Sequence, residues 1–267
     1  MVAGLSSAIQ EMNTVSKYWE YLNKKSIELI DNYGYNNFKQ TVARVYNDDE
    51  VPESNFEFTR MLWDKLYATL PIEFLEKFSE PEVGNPGIIL RDGQLVSIDL
   101  GISIRDYWAI SKHIDFSTID SIVELGGGYG RMPYVITQLH PNIEYTMCDI
   151  EPSLGLAKWY LSKVIPDSLM YYTSPELLRN RADLVIASNC LHEMSRQQVH
   201  KYFDYVDQNA TYFYYNCWKD TTMPYDYIRW EQGDYPVKNH WVKLFERDYI
   251  RRDYFEALYK MGGECQE

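Results

Sequence analysis

Apolar residues recur at helical spacing in the first part of the chain. Over residues 16–34 they form a stripe that ends before Gly34, a suitable helix stop. Over residues 57–78 a second stripe carries Phe58, Leu62, Leu66 and Leu70, and Pro71 is expected to break or bend that helix. The pattern therefore predicts two N-terminal helices.

The pattern becomes irregular between residues 80 and 93, where PEVGNPG carries two prolines and two glycines. Residues 97–113 look helical again. We therefore predict an N-terminal helical region over residues 1–96, acting as a cap or in dimerisation, and an α/β domain over residues 97–267.

From residue 121 the rhythm changes to strand and helix in alternation. Short, nearly all-apolar runs predict strands at 121–125, 143–150, 168–172, 182–189 and 211–218. Amphipathic runs predict helices at 131–140, 153–164 and 196–206. Residues 240–246 and 254–261 are predicted to complete the sheet. Continuous apolar strands between helices are typical of a parallel sheet covered on both faces.

Residues 219–239 do not fit this rhythm, because they are aromatic and rich in turn residues. A connection of this length is often a functional loop or a lid. Aromatic rings that suit sugars and other ring substrates are Tyr225, Tyr227, Trp230, Tyr235 and Trp241. Ordinary use of these residues in the core and on the surface is the other interpretation.

Charge narrows the possible partners. The formal net charge of −13 disfavours nucleic acid and anionic membranes and favours a small-molecule substrate. The sequence shows no signal peptide and no apolar run of membrane-spanning length, so we expect a cytoplasmic protein without membrane insertion. Four cysteines lack zinc-site spacing and are expected to be reduced thiols: Cys148, Cys190, Cys217 and Cys265.

The strongest motif follows the strand 121–125. Glu124, Gly126, Gly128 and Gly130 form an acid-x-Gly-x-Gly-x-Gly pattern that leads into a helix. Glycines let a ligand approach the backbone, and the helix N-terminus offers free N–H groups. Arg131 stands where an NAD fingerprint would need glycine, which disfavours an NAD-dependent oxidoreductase.

Two further segments follow predicted strands. Asp149 lies nineteen positions after Gly130, where a carboxylate can accept hydrogen bonds from ribose hydroxyls; capping the next helix is its other reading, but Glu151 is better placed for that. The segment Ala187–Met194 follows the fourth strand, at the edge where open α/β sheets bind ligands. There His192 could be a general base, with Glu193 orienting it or binding a metal, or His192 could only pack.

A divalent metal has little support in the sequence. Asp220 and Asp226 could join Glu193, but their spacing matches no standard ligand pattern. Solvated surface carboxylates are the preferred interpretation, and the metal ligands stay unassigned.

The motifs LGGGYGRM, CDIEP and SNCLHEM resemble class I S-adenosylmethionine (SAM)-dependent methyltransferases, and in particular bacterial sugar O-methyltransferases that accompany surface-polysaccharide genes. The resemblance covers residues 118–218 well. It implies a Rossmann-like core with a mostly parallel seven-stranded sheet. It also implies SAM as cofactor, bound by residues of the three motifs: Glu124, Gly126, Gly128, Gly130, Arg131, Asp149, Ser188 and Asn189.

The reaction that the resemblance implies is methyl transfer to a hydroxyl of a nucleotide-linked or polymer-linked sugar, with His192 as base and Glu193 in support. Two alternatives stay open: a methyltransferase of another small molecule, and a non-catalytic binding module with this fold. The N-terminal helices could form a homodimer interface or a substrate lid.

Overall fold

The computed structural model describes residues 15–42 and 52–262, so Cys265 lies outside the described residues. Two long helices come first, α1 (Lys17–Tyr33) and α2 (Pro52–Thr69), followed by the single turn α3 (Ile72–Leu75). Pro71 separates the last two, because its ring and missing N–H do not fit inside a helix. The helix predicted next is α4 (Ile98–Ser111), and Ser97 caps it by accepting the N–H of Leu100.

The core is one seven-stranded sheet with the strand order β10-β11-β7-β6-β3-β4-β5. Its strands are β3 (Ser121–Leu125), β4 (Glu144–Cys148), β5 (Met170–Thr173), β6 (Ala182–Ser188), β7 (Ala210–Trp218), β10 (Val242–Asp248) and β11 (Tyr254–Lys260). The pairs β4–β5 and β6–β7 are parallel, whereas β11 is antiparallel to both β7 and β10. The predicted Rossmann-like fold is confirmed.

The helices that alternate with these strands are α5 (Arg131–Leu139), α6 (Ser153–Val164) and α7 (Arg196–Asn209). The central strands are buried over most of their length, and most of their side chains are apolar. Trp63, Tyr145, Tyr160, Phe203 and Phe213 are among the large side chains that fill the interior.

Two stretches predicted to be irregular each contribute to a short hairpin, while PEVGNPG itself contains no helix or strand, as predicted. Residues 80–93 include β1 (Ile89–Arg91), which forms a hairpin with β2 (Gln94–Val96). Residues 219–239 include a second hairpin, β8 (Asp220–Thr222) with β9 (Arg229–Glu231). Each of these strands has only three residues, too few to show an alternating pattern in the sequence.

The chain divides into two compact units. Of the described residues, the first comprises 15–23, 123–126 and 179–262, and the second comprises 24–42, 52–122 and 127–178. The domain boundary predicted between residues 96 and 97 stays a prediction. No helix among the described residues is long and apolar enough to cross a membrane.

Candidate active site

The glycine-rich turn after β3 has a backbone that favours glycine at three positions. Gly126, Gly128 and Gly130 have φ angles of 67°, 56° and 97°, a region that disfavours side chains with a Cβ atom. A Cβ on Gly126 would lie 2.7 Å from Cβ of Cys190, and one on Gly130 would lie 2.7 Å from Cδ1 of Leu161. A Cβ on Gly128 would meet nothing within 4 Å. This turn has the shape expected where a ligand approaches the backbone closely.

Asp149 follows β4 and contacts the same turn. Its Oδ2 accepts the N–H of Gly128 at 2.8 Å, and its Oδ1 accepts the N–H of Ile150 at 2.7 Å. Burial raises the pKa of this carboxyl from 3.8 to about 6, against the opposing effect of the two backbone N–H groups. Each carboxylate oxygen keeps a further lone pair, so the group can still accept ribose hydroxyls.

Capping of the next helix falls to another residue, as the sequence suggested. Oε2 of Glu151 accepts the N–H of Gly155 at 3.0 Å, in the first turn of α6. Asp149 is therefore not needed as a cap. Together with the glycine-rich turn, it provides the acceptor and the open backbone that an adenosyl group requires. The residues present fit SAM.

The other two predicted cofactor residues on this turn are buried. Glu124 lies inside β3 and is 4% exposed. The Arg131 guanidinium donates to Glu80 and to the hydroxyl of Tyr129, and its Nη1 has no hydrogen-bond partner among the described residues. Both side chains are engaged within the protein. A direct contact of either one with the cofactor stays a prediction.

After β6 the chain makes a tight turn that begins with the predicted cofactor residues Ser188 and Asn189. Asn189 has a φ of 55°, and its N–H donates to the carbonyl of Asn216 at 3.1 Å. Oγ of Ser188 accepts from Nδ2 of Asn216 at 2.9 Å. Sγ of Cys190 donates to the carbonyl of Leu125 at 3.0 Å. These bonds tie the turn to β7 and to the end of β3 without using its exposed Asn189 side chain.

His192 is nearly completely buried, with 2% of its surface exposed. Its ring stands edge-on to Trp218 and Tyr254, with centroid distances of 6.5 and 6.4 Å. Burial lowers the pKa of this imidazole from 6.5 to about 3, so the ring is neutral at physiological pH. Its Nδ1 has no hydrogen-bond partner among the described residues. A buried polar atom in that state calls for an explanation.

Glu193 lies next to this imidazole but does not hold it by a hydrogen bond. Its Oε1 is 3.8 Å from Nε2 of His192, which is beyond hydrogen-bond distance. The carbonyl of Glu193 accepts instead from Oγ of Ser16 at 2.9 Å. If Glu193 orients the imidazole of His192, it does so by charge at 3.8 Å and not through a direct hydrogen bond. This orienting role stays a prediction.

The start of α1 contacts this region, a feature that the sequence analysis missed. The two oxygens of Asp226 accept the N–H groups of Lys17 and Tyr18, each at 3.0 Å, and so cap the helix from a distant turn. The ring of Tyr225 stacks on that of Tyr21 at 4.9 Å. Residues more than 200 positions apart in sequence carry no local signal of this pairing.

The aromatic group predicted in residues 219–239 divides into two parts. Trp230 and Tyr235 are buried and stacked at 5.2 Å, and Trp241 is buried beside Phe203. Only Tyr225 and Tyr227 are exposed. The three buried rings pack in the core, which corrects the prediction of a five-ring substrate surface.

The carboxylates considered as metal ligands have other partners. Asp220 pairs with Arg229, at 3.0 and 2.8 Å, and Asp226 caps α1. Among the described residues, no three His, Cys, Asp or Glu side chains form a group that could hold a metal ion.

Comparison with known proteins finds a family model that matches part of the chain. Residues 103–211, less than half of the chain, match the model of the O-methyltransferase domain. This segment is similar to an O-methyltransferase domain. No curated protein matches the chain.

Solved structures are similar to this chain. The PH0226 protein from Pyrococcus horikoshii OT3 is 12% identical with a TM-score of 0.50, over 62% of this chain and 92% of that one. Mitomycin 7-O-methyltransferase MmcR is 12% identical with a TM-score of 0.49, over 61% of this chain and 55% of that one. The chain thus spans about half the length of MmcR. At such identities the likeness shows the fold alone.

Proposed function

We propose that the protein transfers the methyl group of SAM to a hydroxyl of a sugar, linked to a nucleotide or to a polysaccharide. The observation that carries this proposal is the unpaired Nδ1 of the buried, neutral His192. The matching domain is an O-methyltransferase domain, which supports a hydroxyl acceptor. Sequence motifs that resemble sugar O-methyltransferases support the sugar. The net charge of −13 argues against a nucleic-acid acceptor.

On the cofactor side, we assign binding to the glycine-rich turn and Asp149. SAM supplies a methyl group on a sulfonium, which leaves as a neutral thioether, so the protein mainly has to align the reactants. The carboxylate of Asp149 would accept the ribose hydroxyls, while Gly126, Gly128 and Gly130 leave the backbone open to the ligand. Ser188 and Asn189 end β6, at the edge where ligands bind in this fold.

On the acceptor side, His192 would hold the reacting hydroxyl. A neutral imidazole carries one N–H, and the Glu193 carboxylate near Nε2 favours the tautomer with hydrogen on that atom. Nδ1 then has a free lone pair that can accept the hydrogen bond of the substrate hydroxyl. Because burial makes this imidazole a weak base, it would take the proton only as the new C–O bond forms.

The first experiment incubates the protein and SAM with a panel of nucleotide sugars and, in parallel, with phenols. Methylated product and S-adenosylhomocysteine (SAH) are measured by mass spectrometry, with and without a divalent cation. Methylated sugar is the expected product. Methylation of phenols alone would replace the sugar by another small-molecule acceptor. SAH binding without turnover of any acceptor would favour the non-catalytic alternative.

The same assay tests His192 through two variants. We expect His192→Ala to reduce kcat by about 100-fold, as loss of a general base does, and His192→Gln to retain a part of the activity through its amide oxygen. His200→Ala is the matched control, because His200 is exposed on α7. Full activity of a folded His192→Ala protein would remove His192 from the mechanism. The cytoplasmic location and the homodimer stay predictions.

A further inference from the structure

A buried carboxylate outside all three motifs holds the residues around the glycine-rich turn. Glu80 has a fully buried side chain. Its Oε1 accepts from Nζ of Lys39 at 2.6 Å and from Nη2 of Arg131 at 2.7 Å, and its Oε2 accepts from Oγ of Ser97 at 2.6 Å. Four separate segments of the chain therefore meet at one carboxylate.

Two of these bonds lead directly to the glycine-rich turn. Arg131 is the first residue of α5 and follows Gly130, the N-terminal cap of that helix. Its Nε and Nη2 donate to the hydroxyl of Tyr129 at 3.1 and 2.8 Å, and that hydroxyl donates to Asp99 at 2.5 Å. The residues on both sides of Gly130 are thus fixed by side chains that converge on Glu80.

Aromatic rings surround the cation on the other side of Glu80. Nζ of Lys39 lies 4.7 Å from the ring centre of Tyr160 and 5.3 Å from that of Tyr129. Burial and the nearby Arg131 lower the pKa of Lys39 to about 8, while Glu80 opposes that change. Removal of the Glu80 charge would leave two buried cations side by side without their carboxylate, which is strongly unfavourable.

We propose that Glu80 is a positioning residue for the SAM-binding turn. Four glycines within five residues give this turn a large conformational freedom. A ligand that binds it must otherwise supply the free energy of ordering, so a turn held in place in advance binds more tightly. Glu80 does this through Arg131 and Tyr129 and touches neither substrate nor cofactor. The proposal rests on SAM binding at the turn.

The test compares two buried carboxylates of similar surroundings. Glu256 in β11 has a fully buried side chain and accepts from Arg247 at 2.7 Å and from Tyr214 at 2.9 Å. Its pairing resembles that of Glu80, but its partners are not in the glycine-rich turn. Glu80→Gln and Glu256→Gln are each titrated with SAH by calorimetry, below the Tm of both variants as measured by circular dichroism.

We expect both variants to lower Tm, but only Glu80→Gln to weaken SAH binding by about tenfold or more, as loss of a supporting residue behind a binding group does. Glu256→Gln should stay within about twofold of the wild type. Equal Kd values for the two variants would overturn the positioning role. If the wild type does not bind SAH, the cofactor assignment fails first, and the proposal falls with it.

A second variant covers the case in which Glu80→Gln does not fold. Lys39→Met removes one cation and leaves the bond between Glu80 and Arg131 intact. The proposal expects a smaller loss of SAH affinity from this variant than from Arg131→Met, which cuts the connection to the turn. The reverse order would show that the turn does not depend on this connection.

Discussion

The predicted site residues form two halves, one around the glycine-rich turn and one in the turn after β6, and the halves differ in how their buried polar groups are satisfied. Near the glycine-rich turn, Glu80 accepts three hydrogen bonds from side chains and Asp149 accepts two from the backbone. In the turn after β6, His192 is as deeply buried, yet its Nδ1 accepts none among the described residues. Both carboxylates are satisfied within the protein, although Nη1 of Arg131 beside Glu80 has no partner among the described residues. An unpaired buried polar atom is unfavourable, and a hydroxyl bound to Nδ1 of His192 would remove that cost. We infer a preorganised cofactor side and an acceptor side that awaits its hydroxyl.

The largest expected effect is that substitutions in one half change SAH binding, whereas substitutions in the other half change the rate of turnover. Asp149→Ala should weaken SAH binding by about 100-fold, because it removes the charged acceptor of the ribose hydroxyls. His192→Ala should leave the Kd of SAH unchanged and lower kcat instead. Calorimetry and steady-state kinetics on both variants measure this. If each variant changed both quantities alike, the two halves would not be functionally distinct.

The two halves also differ in how far the sequence predicted them. Strand β3 and helix α6 have the predicted bounds. A run such as SIVEL is short and precedes a glycine-rich turn, which favours a buried strand over a helix. Asp149 was assigned from its place at the end of a predicted strand, nineteen positions after Gly130. Such short-range patterns predict the strands and turns of the cofactor side, and the binding of ribose by Asp149 stays a prediction.

Long-range contacts were beyond prediction. Glu80 lies in a stretch of prolines and glycines, and its partners Lys39 and Arg131 are 41 and 51 positions away. Nothing in the neighbourhood of Glu80 marks it as buried, since a glutamate there reads as a solvated loop residue. The burial of Trp230 and Tyr235 was missed for the same reason, because Tyr235 stacks on Trp230 and packs against Phe203 of α7 and Phe255 of β11.

The next effect in size concerns alanine in the glycine-rich turn. Gly126→Ala would combine an unfavourable φ, at about 1–2 kcal/mol, with a clash against Cys190, at about 1–3 kcal/mol. Gly128→Ala would carry the φ penalty alone, because its Cβ meets no atom within 4 Å. Urea denaturation should therefore show Gly126→Ala to be the less stable protein by about 2 kcal/mol. Equal stabilities would mean that the turn after β6 does not restrict this glycine.

The halves should also respond differently to pH. The pKa of Asp149 is raised to about 6 in the free protein, so its carboxyl becomes protonated below pH 6 and must lose that proton to accept ribose hydroxyls. SAH affinity should therefore fall as the pH drops below about 6, by up to about tenfold per pH unit. In the ligand-free protein the same raised pKa lowers stability as the pH rises from about 4 to 6.

Protonation of His192 should not make the activity depend on pH in this range. Its pKa of about 3 keeps the imidazole neutral from pH 5 to 8, so kcat at saturating SAM should show no loss from protonation of this residue. Asp149→Asn provides the control for the binding effect, since its amide does not titrate and its SAH affinity should be flat. A kcat that falls below pH 7 in the wild type and not in His192→Gln would show that the imidazole is more basic than its burial implies.

The smallest effect tests whether α1 belongs to the acceptor side. Asp226 caps α1, whose preceding residue Ser16 bonds to the carbonyl of Glu193, next to His192. Asp226→Ala should lower the free energy of unfolding by about 1 kcal/mol, as loss of an N-cap does. Asp220→Ala, which breaks an exposed pair with Arg229, should change it by about 0.5 kcal/mol or less.

Because the cap acts through the start of the helix, Asp226→Ala should also raise the KM for the acceptor and leave SAH binding unaltered. An unchanged KM would assign α1 to stability alone, and a weaker SAH affinity would show that the two halves are coupled through this helix.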